Sequence, residues 1–215
     1  NIVWRPDSND IDNSNLTQLI HKLRLNTVEE VHRFSVSKPE SFWQCIVEHL
    51  GICFDSSSKP IMDYKNGSEK VIFFPQAKLN IAESCFRADP SEIAIVYQAE
   101  CGLVEKVSYG ELEEMTKQVA AGLRVLGVMP GSRIAIYMPM TTESIAIYLG
   151  TIWAGCTVVG IADSFAAPEI RKRIDLAEPV VVFTQDVVRR GKKIIPLYER
   201  IKEADGPLAV VLPEP

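Results

Sequence analysis

Residues 107–139 read VSYGELEEMTKQVAAGLRVLGVMPGSRIAIYMP, and this stretch decides the fold class. Ser108 is placed to cap a helix, and Glu111, three residues on, completes a capping box in which each side chain satisfies the other's free backbone N–H. Leu112, Met115, Val119, Leu123 and Leu126 recur at three- and four-residue intervals and form one apolar face. Gly127 ends the helix, and Pro130-Gly131 supply a turn. Arg133 to Met138 then reads as a buried strand closed by Pro139.

Working outward, the runs 93–97, 156–161, 180–184 and 208–212 are also short and apolar or β-branched, with helical stretches between them. From Ile93 onward this predicts an α/β fold of βα units with a largely parallel sheet. Pro168 suits the first turn of a helix reaching Ala177. From Ser144 to Ala162 there are 19 residues without a charge, long enough to span a membrane. Gly150, Gly155 and Gly160 interrupt the segment, a β-branched run follows Gly155, and no basic flank is present. It is therefore read as a buried helix feeding a buried strand, with no membrane span.

Upstream the pattern is helical and irregular. Asp7, Asp10 and Asp12 open a polar segment, and Leu16, Leu19, Ile20 and Leu23 then take helical spacing. Counted from Asp10, a calcium loop would need Gly at its sixth position and Glu at its twelfth, where His21 stands. A second helix is expected from Pro39 to Leu50, followed by a loop at Ser56-Ser57-Ser58-Lys59-Pro60. The division expected is a helical region over 1–90 and an α/β region over 91–215.

The composition, 47% hydrophobic and 24% charged over 215 residues, is that of a globular protein. With 23 Lys and Arg against 28 Asp and Glu the net charge is -5, which excludes a nucleic-acid coat and makes any basic patch local. The five cysteines, Cys45, Cys53, Cys85, Cys101 and Cys156, are odd in number and scattered, as expected of reduced, mostly buried thiols in an intracellular compartment. Cys45, His49 and Cys53 are four apart and would share a helix face as zinc ligands do. Gly51 breaks that helix and no fourth ligand is near, so no metal is assigned. The chain opens on Asn without a basic-then-apolar signal and reads as a piece of a longer protein.

Only three histidines are present, and neither a nucleophile elbow nor a standard glycine-rich phosphate cradle occurs, so no catalytic residue is assigned. Arg189-Arg190-Gly191-Lys192-Lys193 follows a predicted strand, where open α/β sheets carry ligand-binding loops. Its charge suits a phosphate, and it equally suits a solvated basic loop ahead of a helix starting near Pro196.

Four blocks, in order, resemble acetyl-CoA-synthetase-like enzymes, and their variants are most similar to the plant acyl-activating enzymes of that group. They are Phe73 to Phe86 (FFPQAKLNIAESCF), Val107 to Leu112 (VSYGEL), Gly122-Leu123 with Gly127 to Met140 (GVMPGSRIAIYMPM), and Arg190 to Leu197 (RGKKIIPL). The resemblance spans about residues 28 to 205. It implies an AMP-forming acyl-CoA synthetase of the adenylate-forming superfamily, in which ATP, with Mg2+, and a small-molecule carboxylic acid, whether acetate, a medium-chain acid or an aromatic acid, form an acyl-adenylate and pyrophosphate. CoA thiolate then gives the thioester and AMP. It also implies that the helical region packs around a larger domain whose first subdomain is the βα region, and that further subdomains of the same chain are partners. The Pro-Lys phosphate loop of such enzymes, their adenine and ribose motifs and their catalytic lysine are not found here, so the residues present are expected to be inert alone.

By the same resemblance Arg190, Gly191, Lys192 and Lys193 match the Arg-Gly-Gly-Lys element that contacts the 3′-phosphate end of CoA, with Lys192 in place of its second glycine. The Phe-Gly-Gly-Phe beside the CoA adenine stands here as Ala162-Asp163-Ser164-Phe165. A carboxylate at 163 opposes phosphate binding unless it turns toward the arginine. The location implied is peroxisomal or cytosolic. The alternative is a binding or interaction module that kept this fold without the chemistry.

Overall fold

The computed structural model describes residues 3–56, 59–100 and 102–214, so Ser57, Ser58 and Cys101 lie outside the described residues. The chain divides into two compact units, Asn1–Leu79 and Asn80–Pro215.

The first unit holds α1 (Ser8–Asp12), α2 (Asn15–Leu23), α3 (Val28–Ser37), α4 (Pro39–Leu50) and a short antiparallel pair, β1 (Met62–Asp63) with β2 (Ile72–Phe73). Sequence periodicity finds α2 and α4 but passes over α1 and α3, whose signals are caps. The carboxylates of Asp7 and Asp10 accept each other's backbone N–H at 2.8 and 3.0 Å, so the acidic opening caps α1. Thr27 accepts the Glu30 N–H at 3.2 Å and starts α3. Gly51, at φ 63, ends α4, and Cys53 therefore leaves the face that carries Cys45 and His49.

The second unit contains β3 (Ile93–Gln98), β4 (Val104–Ser108), α5 (Tyr109–Val125), β5 (Arg133–Tyr137), α6 (Thr142–Trp153), β6 (Thr157–Gly160) and α7 (Ala167–Ala177). It continues with β7 (Val181–Gln185), β8 (Val188–Arg190), β9 (Lys193–Ile195), α8 (Leu197–Glu203) and β10 (Leu208–Leu212). Strands β10-β7-β5-β6 lie in that order in one parallel sheet, as the alternation of runs requires. The capping box at Ser108 and Glu111 starts α5, and Pro168 lies in the first turn of α7.

Three expectations need correction. The run at 93–97 does not join the parallel sheet but pairs antiparallel with β4, because only a short loop connects them and a parallel return needs a longer crossover. Strand β6 is an edge strand, half-buried rather than buried, since among the described residues β5 alone flanks it. The described thiols are not core residues: Cys53 is exposed in a loop, Cys85 is exposed at the end of a short 3-10 helix, and Cys45 and Cys156 are half-buried.

The core lies on both sides of β5 and β7. Ile134, Ile136, Val181 and Phe183 face Ala120, Leu123 and Ile147 of α5 and α6, while Ala135, Tyr137 and Val182 face Ile170, Ile174, Leu197 and Ile201 of α7 and α8. This two-sided burial is why β5 is a continuous apolar run. The buried face of α5 is Leu112, Thr116, Ala120 and Leu123; the helix ends at Val125, and Leu126 points to solvent. Asn80, in the Lys-Leu-Asn-x-Ala segment, donates from Nδ2 to the carbonyls of Ile152 and Trp153 at 3.3 and 3.0 Å and closes the end of α6.

Candidate functional site

From β5 the chain leaves toward α6 on one face of the sheet, and from β7 it leaves toward α8 on the other. Their carboxyl ends frame the crevice where open α/β sheets bind ligands. A cavity of about 310 Å³ lies there, between Pro139 to Thr141, Gln185, Val188 to Arg190, Glu214 and the end of β3. A larger one of about 680 Å³ opens beside α6, with Met138, Ile145, Tyr148, Leu149 and Val158 as its apolar walls and Asp163 and Arg190 at its polar end. Arg190 lines both.

The basic run is not a loop but a hairpin, β8 pairing antiparallel with β9. Arg190 faces Lys193 across a two-residue turn made by Gly191 and Lys192. Gly191 takes φ 60, and Lys192 keeps a negative φ, the pattern of a tight hairpin turn that needs glycine at its first position only. Lysine in place of a second glycine therefore adds a cation without backbone strain.

Three carboxylates from distant parts of the unit meet this hairpin. Asp163 Oδ2 lies 2.6 Å from Arg190 Nη2, the Gly191 N–H donates to Glu100 Oε1 at 2.8 Å, and Arg189 Nε pairs with Glu214 Oε2 at 2.7 Å. Among the described residues, Lys192 and Lys193 make no ion pair and are exposed. Asp163, whose charge opposes a phosphate, turns to the arginine. Glu100 and Glu214 escaped the sequence reading because no spacing rule links them to Gly191 and Arg189.

The Asp163 segment is held by a network around the buried Tyr137. Tyr137, fully buried, shares its phenolic proton between the carbonyls of Phe165 and Asp163, at 2.8 and 3.1 Å. Arg200 Nη1 donates to the Phe165 carbonyl at 3.0 Å and to Tyr137 Oη at 3.3 Å, and the Arg173 guanidinium lies 4.0 Å over the Phe165 ring. Burial pushes the Tyr137 phenol above its ordinary value near 10, and the hydrogen bond from Arg200 opposes that only in part. A pKa raised on folding means the neutral phenol is favoured in the folded state, so its contribution is complete below pH 10 and is lost as pH rises through the folded value. In denaturant titrations the advantage of the native chain over Tyr137→Phe is expected to be constant below pH 10 and to shrink above it. An advantage that grows above pH 10 would contradict the assignment.

A family model described as AMP-binding enzyme matches residues 82–212, more than half of the chain. The chain belongs to that family. A second model, acetyl-coenzyme A synthetase N-terminus, matches residues 28–85. The chain is 34% identical to the probable acyl-activating enzyme 17, peroxisomal, of Arabidopsis thaliana, and 33% identical to the hexanoyl-CoA synthase of Cannabis sativa. Each alignment covers 98% of this chain and 32% of the relative. Among solved structures, acetoacetyl-CoA synthetase from Streptomyces lividans superposes with a TM-score of 0.86 at 28% identity, over 98% of this chain and 34% of that one. The chain thus spans about a third of the length of the relatives it matches. Its fold is that of the N-terminal α/β part of an adenylate-forming enzyme. Among the described residues, no helix is long and apolar enough to cross a membrane.

Proposed function

We propose that this AMP-binding family chain is the N-terminal part of an AMP-forming acyl-CoA synthetase and that its own share of the chemistry is to receive the anionic end of CoA. In this reading residues 1–90 are the helical N-terminal region, and residues 91–215 are the first, incomplete subdomain of the adenylation domain. The observation that carries the reading is the Arg190–Lys193 hairpin, which stands at the carboxyl ends of the parallel strands and presents two exposed lysines with no ion partner among the described residues. Exposed ammonium groups attract polyphosphates without demanding a fixed geometry. ATP, Mg2+ and a small-molecule carboxylic acid are the other reactants of such an enzyme, and the residues here supply no phosphate loop for ATP. The location proposed is peroxisomal, in keeping with the name of acyl-activating enzyme 17, or cytosolic.

Calorimetry on the chain tests this. CoA is expected to bind, with an affinity that drops as salt is raised from low to physiological strength. ATP with acetate, hexanoate or acetoacetate is expected to give no AMP. Absence of CoA binding at low salt, or binding that salt does not weaken, would overturn the assignment of the hairpin.

A further inference from the structure

The hairpin is already occupied. A phosphate dianion at such a turn takes its strongest contacts from a guanidinium and from the free turn amide. Here Arg190 Nη2 is held by Asp163 Oδ2 at 2.6 Å, and the Gly191 N–H is held by Glu100 Oε1 at 2.8 Å. The Asp163 side chain is only 14% exposed, against 51% for Arg190, so the carboxylate is the more enclosed partner. Nor can it withdraw with its loop, because Tyr137 and Arg200 bind the carbonyls of residues 163 and 165 from below. An incoming phosphate must break a charge-assisted pair or settle a few ångströms from a fixed negative charge.

Resting on the reading of the hairpin as the CoA-binding element, we propose that Asp163 is a specificity residue that removes the advantage of the 3′-phosphate. The protein then accepts adenylated pantetheine thiols lacking that phosphate, with 3′-dephospho-CoA as the probe, about as well as CoA itself. Lys192 and Lys193 still attract the diphosphate common to both ligands, but as mobile, solvated charges they distinguish the extra phosphate weakly.

The experiment is a paired titration of the chain with CoA and with 3′-dephospho-CoA at one salt concentration. For the native chain the two dissociation constants are expected to agree within about threefold. Asp163→Ala is expected to shift their ratio about tenfold in favour of CoA, and Asp163→Asn, which keeps the shape and loses the charge, to shift it the same way. Native-like thermal melting of the asparagine variant keeps the comparison interpretable if the alanine variant folds poorly. A native preference for CoA above about tenfold, or a ratio that either variant leaves unchanged or moves toward dephospho-CoA, overturns the proposal while the CoA assignment stands. Failure of both ligands to bind the native chain removes both.

Discussion

Gly150→Ala is expected to destabilise the second unit by about 3 kcal/mol, whereas Gly122→Ala should stabilise it by about 0.5–1 kcal/mol. Both glycines lie inside helices, Gly150 in α6 and Gly122 in α5, and alanine is the better helix former at either site. What separates them is space. A Cβ on Gly150 would come 2.6 Å from Val119 Cβ and 2.7 Å from the Thr116 carbonyl oxygen, while among the described residues nothing lies within 4 Å of one on Gly122. A carbonyl in the middle of a helix cannot rotate away, so α5 and α6 must separate along their whole contact. That contact is built from small residues, Thr116 and Ala120 against Ala146, Gly150 and Thr151, all buried. The hydroxyls of Thr116 and Thr151 are buried there without partners among the described residues, a cost tolerated for close approach. Urea unfolding of the two variants decides it: opposite signs support the close contact, and a stabilised Gly150→Ala would remove it.

The same helix pair shows what the sequence made legible. The capping box at Ser108 and Glu111, the stop at Gly127 and the apolar run from Ile134 to Met138 are local signals, and each sets its element within a residue or two. The antiparallel hairpin of β3 and β4 was harder, since an isolated apolar run has the same pattern whether its partner strand is parallel or antiparallel. At the candidate site the cations were visible as a run in sequence, but what they touch was not. Asp163 came to notice only through a family motif, and Glu100 lies 91 residues from Gly191. No spacing rule links Tyr137 or Arg200 to residues 163 and 165, and only the fold shows them clamping the 162–165 segment. Contacts across such separations follow from strand order, which the sequence states only coarsely.

Strand order also explains why charge reversal at the turn should have the largest effect on binding. The combined Lys192→Glu and Lys193→Glu variant is expected to lose about 100-fold in affinity for CoA at low salt, and a combined alanine variant about tenfold. Of the four cations on the hairpin, Arg189 and Arg190 are matched by Glu214 and Asp163, so the attraction that reaches solvent comes from the two lysines. Reversing them turns a locally positive turn into one with carboxylates on every side, Glu100 included. The hairpin itself is not endangered: the turn rests on Gly191, and a carboxylate at 193 would face Arg190 across the strands as a favourable cross-strand pair. Because the lysines act on the whole anionic coenzyme, 3′-dephospho-CoA should lose affinity in parallel with CoA, and high salt should shrink both losses. A double variant that binds CoA as the native chain does would place the coenzyme elsewhere on the protein, and a loss confined to CoA would mean that the lysines, rather than a neutralised Arg190, hold the 3′-phosphate.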